Sequence, residues 1–145
     1  MSTIAAVEAG LLAAIAVLHA AWGLGVRWLR HDDAALTALV VGSLRERMPP
    51  PLHCFLAAGA IFAAAVVVAA VGGVVRLPLR WGLVMLLGLG VTAVFAGRGV
   101  AGYLPAWRAR HPRLPFATLD RRIYSPLCLG IALSCAVLLF NQARS

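Results

Sequence analysis

Two ionisable side chains interrupt the first apolar run of the chain: Glu8 and His19, within Ile4–Val26. They stand 11 residues apart, three helical turns, so a helix puts both on one face. A carboxylate inside an apolar run can hold a proton or a cation. Its plainer role is an interfacial group that reaches for water. An imidazole about 10 Å below the end of such a run can act as general acid or base, or anchor a headgroup. It can equally make one interhelical hydrogen bond. Trp22 and Gly23 follow His19 at i+3 and i+4.

More polar side chains gather at one end of the expected bundle. His53 and Cys54 open the second apolar run, Arg98 and Tyr103 close the third, and Asp120, Tyr124, Ser125 and Cys128 open the fourth. With antiparallel neighbours all of these share one side. The candidate catalytic set is His19, Asp120 and Tyr124. Trp22, His53, Arg98, Arg121 and Arg122 form the candidate ligand-binding set. Asp120 has a second reading as the N-cap of the fourth helix, with Ser125-Pro126 as a further helix start. Arg98 reads as a snorkelling arginine or as the ion-pair partner of Asp120.

The elements that must position these residues are membrane helices. The chain has 145 residues, 62% of them hydrophobic, and a mean hydropathy of +0.91. Soluble domains run near 45–50% apolar, so an integral membrane protein is expected, in one domain spanning 1–145. Four apolar runs approach the roughly 20 residues a spanning helix needs: Ile4–Val26, Leu52–Val75, Leu79 to about Val100, and Ile123–Phe140. None alternates as a barrel strand would. The fold class is therefore all-α, a bundle of four transmembrane helices. Loop 1 adds a short interfacial helix, begun by Asp32, carrying Leu36, Leu39, Val40 and Leu44 on one face and stopped by Met48-Pro49-Pro50-Pro51. The turn 76–80 makes the second and third helices antiparallel neighbours. Small residues at Ala9, Ala13, Ala16 and Ala20, at Gly59/Ala63 and at Ala93/Gly97 read as packing faces within the bundle, with homo-oligomerisation as the other use.

Thirteen basic residues, all arginine, stand against five acidic ones, a net charge of +8. Nucleic-acid binding is rejected because the arginines lie at the ends of apolar runs. Nine fall in loops 1 and 3 (Arg27, Arg30, Arg45, Arg47, Arg108, Arg110, Arg113, Arg121, Arg122), and three on the other side (Arg76, Arg80, Arg144). The positive-inside rule then puts loops 1 and 3 in the cytoplasm and both termini outside, in a cytoplasmic (inner) membrane. The first six residues carry no positive stretch of the kind that begins a cleavable signal.

No cofactor or metal site is expected. Three cysteines form no CxxC pair. His19 and His53 differ too much in depth to share a haem. Zinc spacing, a phosphate loop and a nucleophile elbow are absent.

The stretches His19-Ala-Ala-Trp22-Gly23, Met48-Pro49, Phe116-Ala117-Thr118-Leu119-Asp120 and Tyr124-Ser125-Pro126-Leu127-Cys128 resemble a family of small four-span bacterial membrane proteins, a domain of unknown function. The resemblance covers most of the chain and is strongest at the loop 3 to helix 4 junction. It implies the fold and the membrane location, and that these positions belong together. It brings no activity. Three functions stay open on the residues alone. The first binds or processes an amphiphilic, lipid-like molecule at the cytoplasmic end, with loop 3 arginines clamping an anionic headgroup. The second is a small proton-coupled transporter using Glu8. The third is a non-catalytic scaffold or partner subunit.

Overall fold

A computed structural model of the chain describes residues 1–26, 32–44 and 47–144. Four long apolar helices build it: α1 (Ser2–Gly23), α3 (Pro51–Val71), α4 (Trp81–Ala101) and the run Phe116–Arg144. The last is continuous and joins α6 (Phe116–Leu119), a π-helical turn (Asp120–Tyr124) and α7 (Ser125–Arg144). Each is long and apolar enough to cross a bilayer. In lipid every backbone amide must bond within its own segment, which is why these sequences form helices. The molecule is a four-helix membrane bundle.

Apolar burial drives little association between helices in hydrocarbon, so close packing has to hold them. Two tight antiparallel pairs result. In the first, α1 lies on α3, with Ala5, Leu12 and Ala16 of α1 and Ala58, Ala65 and Val68 of α3 buried. Gly72, just beyond α3, rests on the Ala5 methyl, and Gly23 rests on the Phe55 ring at the other end. In the second, α4 lies on α7. A Cβ at Gly88 would come within 2.8 Å of Leu139, and one at Gly102 would collide with the Ser125 hydroxyl. The Cys135 thiol donates to the Gly88 carbonyl at 3.6 Å. The pairs join mainly through α3 and α4, while α1 and α7 touch lightly.

The expected packing stripes are only partly used. Ala16 is buried, and Ala9 and Ala13 pack against the core. Gly59, Ala63, Ala93 and Gly97 face outward instead. The reason is register: α4 meets α7 along Gly88, Gly99 and Gly102, which turns the Ala93/Gly97 face away.

The short helices cap one end. Asp32 begins α2 (Asp33–Val40) by accepting from the Ala35 amide at 2.7 Å, the N-cap bond that its side chain predicts. Leu36 is fully buried, whereas Leu44 is exposed. The helix ends at Val40, earlier than the proline run, because Gly42 turns left-handed at φ 70° and its open face receives Phe116. Helix α5 (Pro105–Arg110) starts on a proline, which suits a first turn with no amide to satisfy. Arg27, Arg30 and Arg45 lie outside the described residues. The remaining loop arginines cluster at this capped end, called here the basic end.

Candidate functional site

Asp120 is the centre of the basic end. It is 2% exposed. Its Oδ1 accepts from Arg98 Nη2 at 2.6 Å and from the Ser125 hydroxyl at 3.4 Å, and its Oδ2 accepts from Trp107 Nε1 at 3.0 Å. Three elements converge on one carboxylate: the last turn of α4, the middle of α5 and the start of α7. Gly102 leaves room for this approach, since a Cβ there would also come within 2.9 Å of Asp120 Oδ2. The Arg98 guanidinium stacks 4.6 Å over the Trp107 ring. A carboxylate in such a place would be costly without these donors; with a cation and two neutral donors it is satisfied.

Asp120 does not N-cap a helix, as the sequence had allowed, and α7, which begins at Ser125, continues a helix already under way. The helix begins at Phe116 and passes through both positions. The π-turn at Asp120–Tyr124 adds a residue to the winding, so Asp120 faces Ser125 five residues on. Single π-turns within α-helices occur often at functional sites.

A line of rings extends from the carboxylate. His111 stacks on Trp107 with centroids 4.1 Å apart, Phe116 lies 5.9 Å from His111, and Tyr124 lies 5.7 Å from Phe116. The Tyr124 hydroxyl donates to the Leu39 carbonyl at 3.3 Å. The line therefore fastens α2 and α5 to the bundle.

The basic side chains form a separate feature. Tyr103, Arg108, Thr118, Arg121 and Arg122 line a cavity of about 400 Å³ together with Leu114 and Ala117. No acidic side chain among the described residues lines it. The Tyr103 hydroxyl donates to the Arg121 carbonyl at 3.2 Å, which ties the end of α4 to the π-turn beside the cavity. Three guanidiniums around one opening repel one another, and an anion relieves that repulsion.

The residues singled out in the sequence thus divide. Asp120 and Arg98 form an ion pair. Tyr124 lies one helical turn away with its hydroxyl on Leu39. Arg121 and Arg122 line the cavity. His19 and Trp22 form a second group, their rings 5.0 Å apart. His19 Nδ1 bonds the Ile15 carbonyl of its own helix at 2.8 Å, and the buried Trp22 indole nitrogen has no acceptor among the described residues. No hydrogen bond, ion pair or ring contact is shown between this group and Asp120 or Tyr124. The helix pairing explains the division, because α1 packs on α3 whereas Asp120 belongs to the α4/α7 pair. His53 stands exposed in the first turn of α3, apart from the cavity lining.

Trp107, Ser125 and Arg108 stand outside the candidate catalytic and ligand-binding sets. Trp107 carries a sequence signal, as an aromatic among arginines in a proline-rich loop, and Arg108 belongs to the loop 3 arginines. Ser125 reads in the sequence as a polar helix start, but its contact with Asp120 depends on the π-turn.

A bundle of four membrane helices with a partly buried Arg–Asp pair under a basic cap defines a class of small polytopic membrane protein. The chain belongs to the family described as protein of unknown function DUF3995, whose model matches residues 12–135. No curated protein and no solved structure matches it.

Proposed function

We propose that the protein holds the anionic headgroup of an amphiphile at its basic end, which faces the cytoplasm. The observation that carries this reading is the cavity of about 400 Å³ walled by Arg108, Arg121 and Arg122, with hydroxyls from Tyr103 and Thr118 and no carboxylate among the described residues. Guanidiniums suit phosphate because they donate in a planar fork. The cavity lies where helix ends meet the headgroup region, so a bound headgroup leaves its hydrocarbon in the bilayer. Asp120 has a positioning role: it holds Trp107, and through it α5, so that Arg108 stands opposite Arg121 and Arg122. Asp120's acceptors are occupied and His19 is bonded within its own helix. This supports binding rather than an acid–base step. The nine-to-three arginine distribution supports the cytoplasmic orientation.

The test is binding of dioleoyl phosphatidate to the full chain in dodecyl maltoside micelles, with dioleoyl phosphatidylcholine as the comparison. Phosphatidate should bind more tightly. Changing Arg121 and Arg122 together to Gln should weaken it by roughly 30-fold or more, as expected when one side of a hydrogen-bonded charge pair is removed. Raising salt should weaken the wild-type complex, since part of the attraction is screened. Equal affinity for the two lipids, or no loss in the double variant, would remove the proposal.

A further inference from the structure

The light contact between α1 and α7 leaves an open groove of about 530 Å³ on the side of the bundle. Positions 3–11 of α1 and 126–134 of α7 wall it, about 12 Å of each helix. The walls are almost wholly apolar, including Ile4, Val7, Leu11 and Leu127. Glu8 is the exception. It is only 6% exposed, and neither of its carboxyl oxygens meets a partner in hydrogen-bond geometry among the described residues. The Ser134 hydroxyl, on the facing wall, is a neutral donor beside the carboxyl, although the pair falls outside strict hydrogen-bond geometry. Cys135 is the other titratable group that senses Glu8, and no arginine among the described residues is ion-paired with it.

This differs from Asp120 in kind. Asp120 is equally buried, and the fold supplies it with a cation and two donors. Among the described residues Glu8 has no cation and no donor beyond the neutral Ser134 hydroxyl, although it lies about 9 Å inside the helix from Ser2. A carboxyl in an apolar wall keeps its proton or, once ionised, needs a positive partner. A lipid acyl chain would satisfy the walls and leave the carboxyl protonated and unused. An occupant that satisfies both the walls and an ionised Glu8 is apolar along its length and positive at one end.

We infer that the α1/α7 groove is a binding site for an amphiphile bearing an ammonium group, which pairs with Glu8 while its hydrocarbon lies between Leu11 and Gly130. The site is independent of the basic cavity, which takes the opposite charge at a different set of residues. The ammonium group can belong to a free amphiphile or to a lipid headgroup; the pairing chemistry is the same.

Dicyclohexylcarbodiimide, which is apolar and reacts with protonated carboxyls reached from lipid, reads the site directly. The full chain in dodecyl maltoside is treated with it and modification at Glu8 is followed by mass spectrometry of peptides. Glu8 should be modified, and dodecyltrimethylammonium should protect it where dodecanol at the same concentration does not. Phosphatidylcholine, added in a second arm, presents the same trimethylammonium group on a lipid. Protection by the single-chain cation alone identifies a free amphiphile as the source, and protection by both identifies a lipid headgroup. Direct binding of dodecyltrimethylammonium should fall by roughly 30-fold or more in Glu8→Gln.

Gly130→Leu is the second variant. A Cβ at Gly130 meets nothing within 4 Å, so the larger side chain fills the groove while Glu8 stays in place. It should remain folded and lose binding. Modification of Glu8 without protection by either cation would show a proton site only and overturn the inference. Absence of modification would show a carboxyl closed to lipid and would overturn it as well, as would unchanged binding in a folded Gly130→Leu.

Discussion

Buried charge in this protein takes two forms, and the difference lies in which donors reach each side chain. Asp120 accepts from Arg98, Trp107 and Ser125, so an amide in its place loses the charge and turns one acceptor oxygen into a donor facing either the guanidinium or the indole. Asp120→Asn should lower stability by about 2 kcal/mol, below the usual range for a broken buried pair, because the Arg98 side chain is 29% exposed and partly screened by solvent. Its hydrogen bond to Arg98 should couple the two positions in a double-mutant cycle with Arg98→Leu. His19 offers the contrast. Its ring bonds a carbonyl of its own helix, and a polar bond within a membrane bundle averages only about 0.6 kcal/mol. His19→Gln should therefore unfold at nearly the wild-type temperature. Thermal unfolding in detergent, followed by circular dichroism, compares the two. A His19 variant as unstable as the Asp120 variant would place His19 in a network that its contacts do not show. The types and rough depths of these residues were legible in the sequence. Their partners were not, since Trp107 meets Asp120 across 13 positions and Arg98 across 22.

Among the elements, the spans follow directly from apolar length, whereas the caps depend on local detail. The first span was expected over Ile4–Val26 and runs Ser2–Gly23; the second was expected over Leu52–Val75 and runs Pro51–Val71. The fourth differs most, starting at Phe116 rather than near Ile123. Arg121 and Arg122 look like a boundary in a hydropathy reading, yet they sit on the exposed side of a helix that continues through them. Helix α2 shows the reverse case: a periodic apolar pattern reached Leu44, and a single left-handed glycine ended the helix before it. Gly42→Ala tests that stop. The substitution is strained at φ 70° and brings a Cβ against the Phe116 ring. Strain of this kind costs about 1–3 kcal/mol. Amides of α2 should exchange hydrogen faster while those of α3 and α4 keep their protection. Unchanged exchange in α2 would mean that Phe116 does not anchor it.

For the whole molecule, orientation is the property that hydropathy leaves open and charge addresses. Reporter fusions after Arg144 and within loop 3 should read outside and cytoplasmic respectively; the reverse pattern would turn the bundle over and place the basic cavity on the outer face. Composition and periodicity were sufficient for the class of fold, because a backbone in hydrocarbon has few ways to satisfy its own amides. They were sufficient too for the polar crowding at one end, since helix ends and arginines are visible in one dimension. Tertiary structure decided which helices pair. That pairing put His19 with α3 and Asp120 with α4, turned Gly59/Ala63 and Ala93/Gly97 outward, and opened a groove beside Glu8. The reason is physical: when apolar surface has no preference between lipid and another helix, close approach at a few small side chains selects the neighbours. All four helices carry small residues, and their spacing does not say which of them will meet.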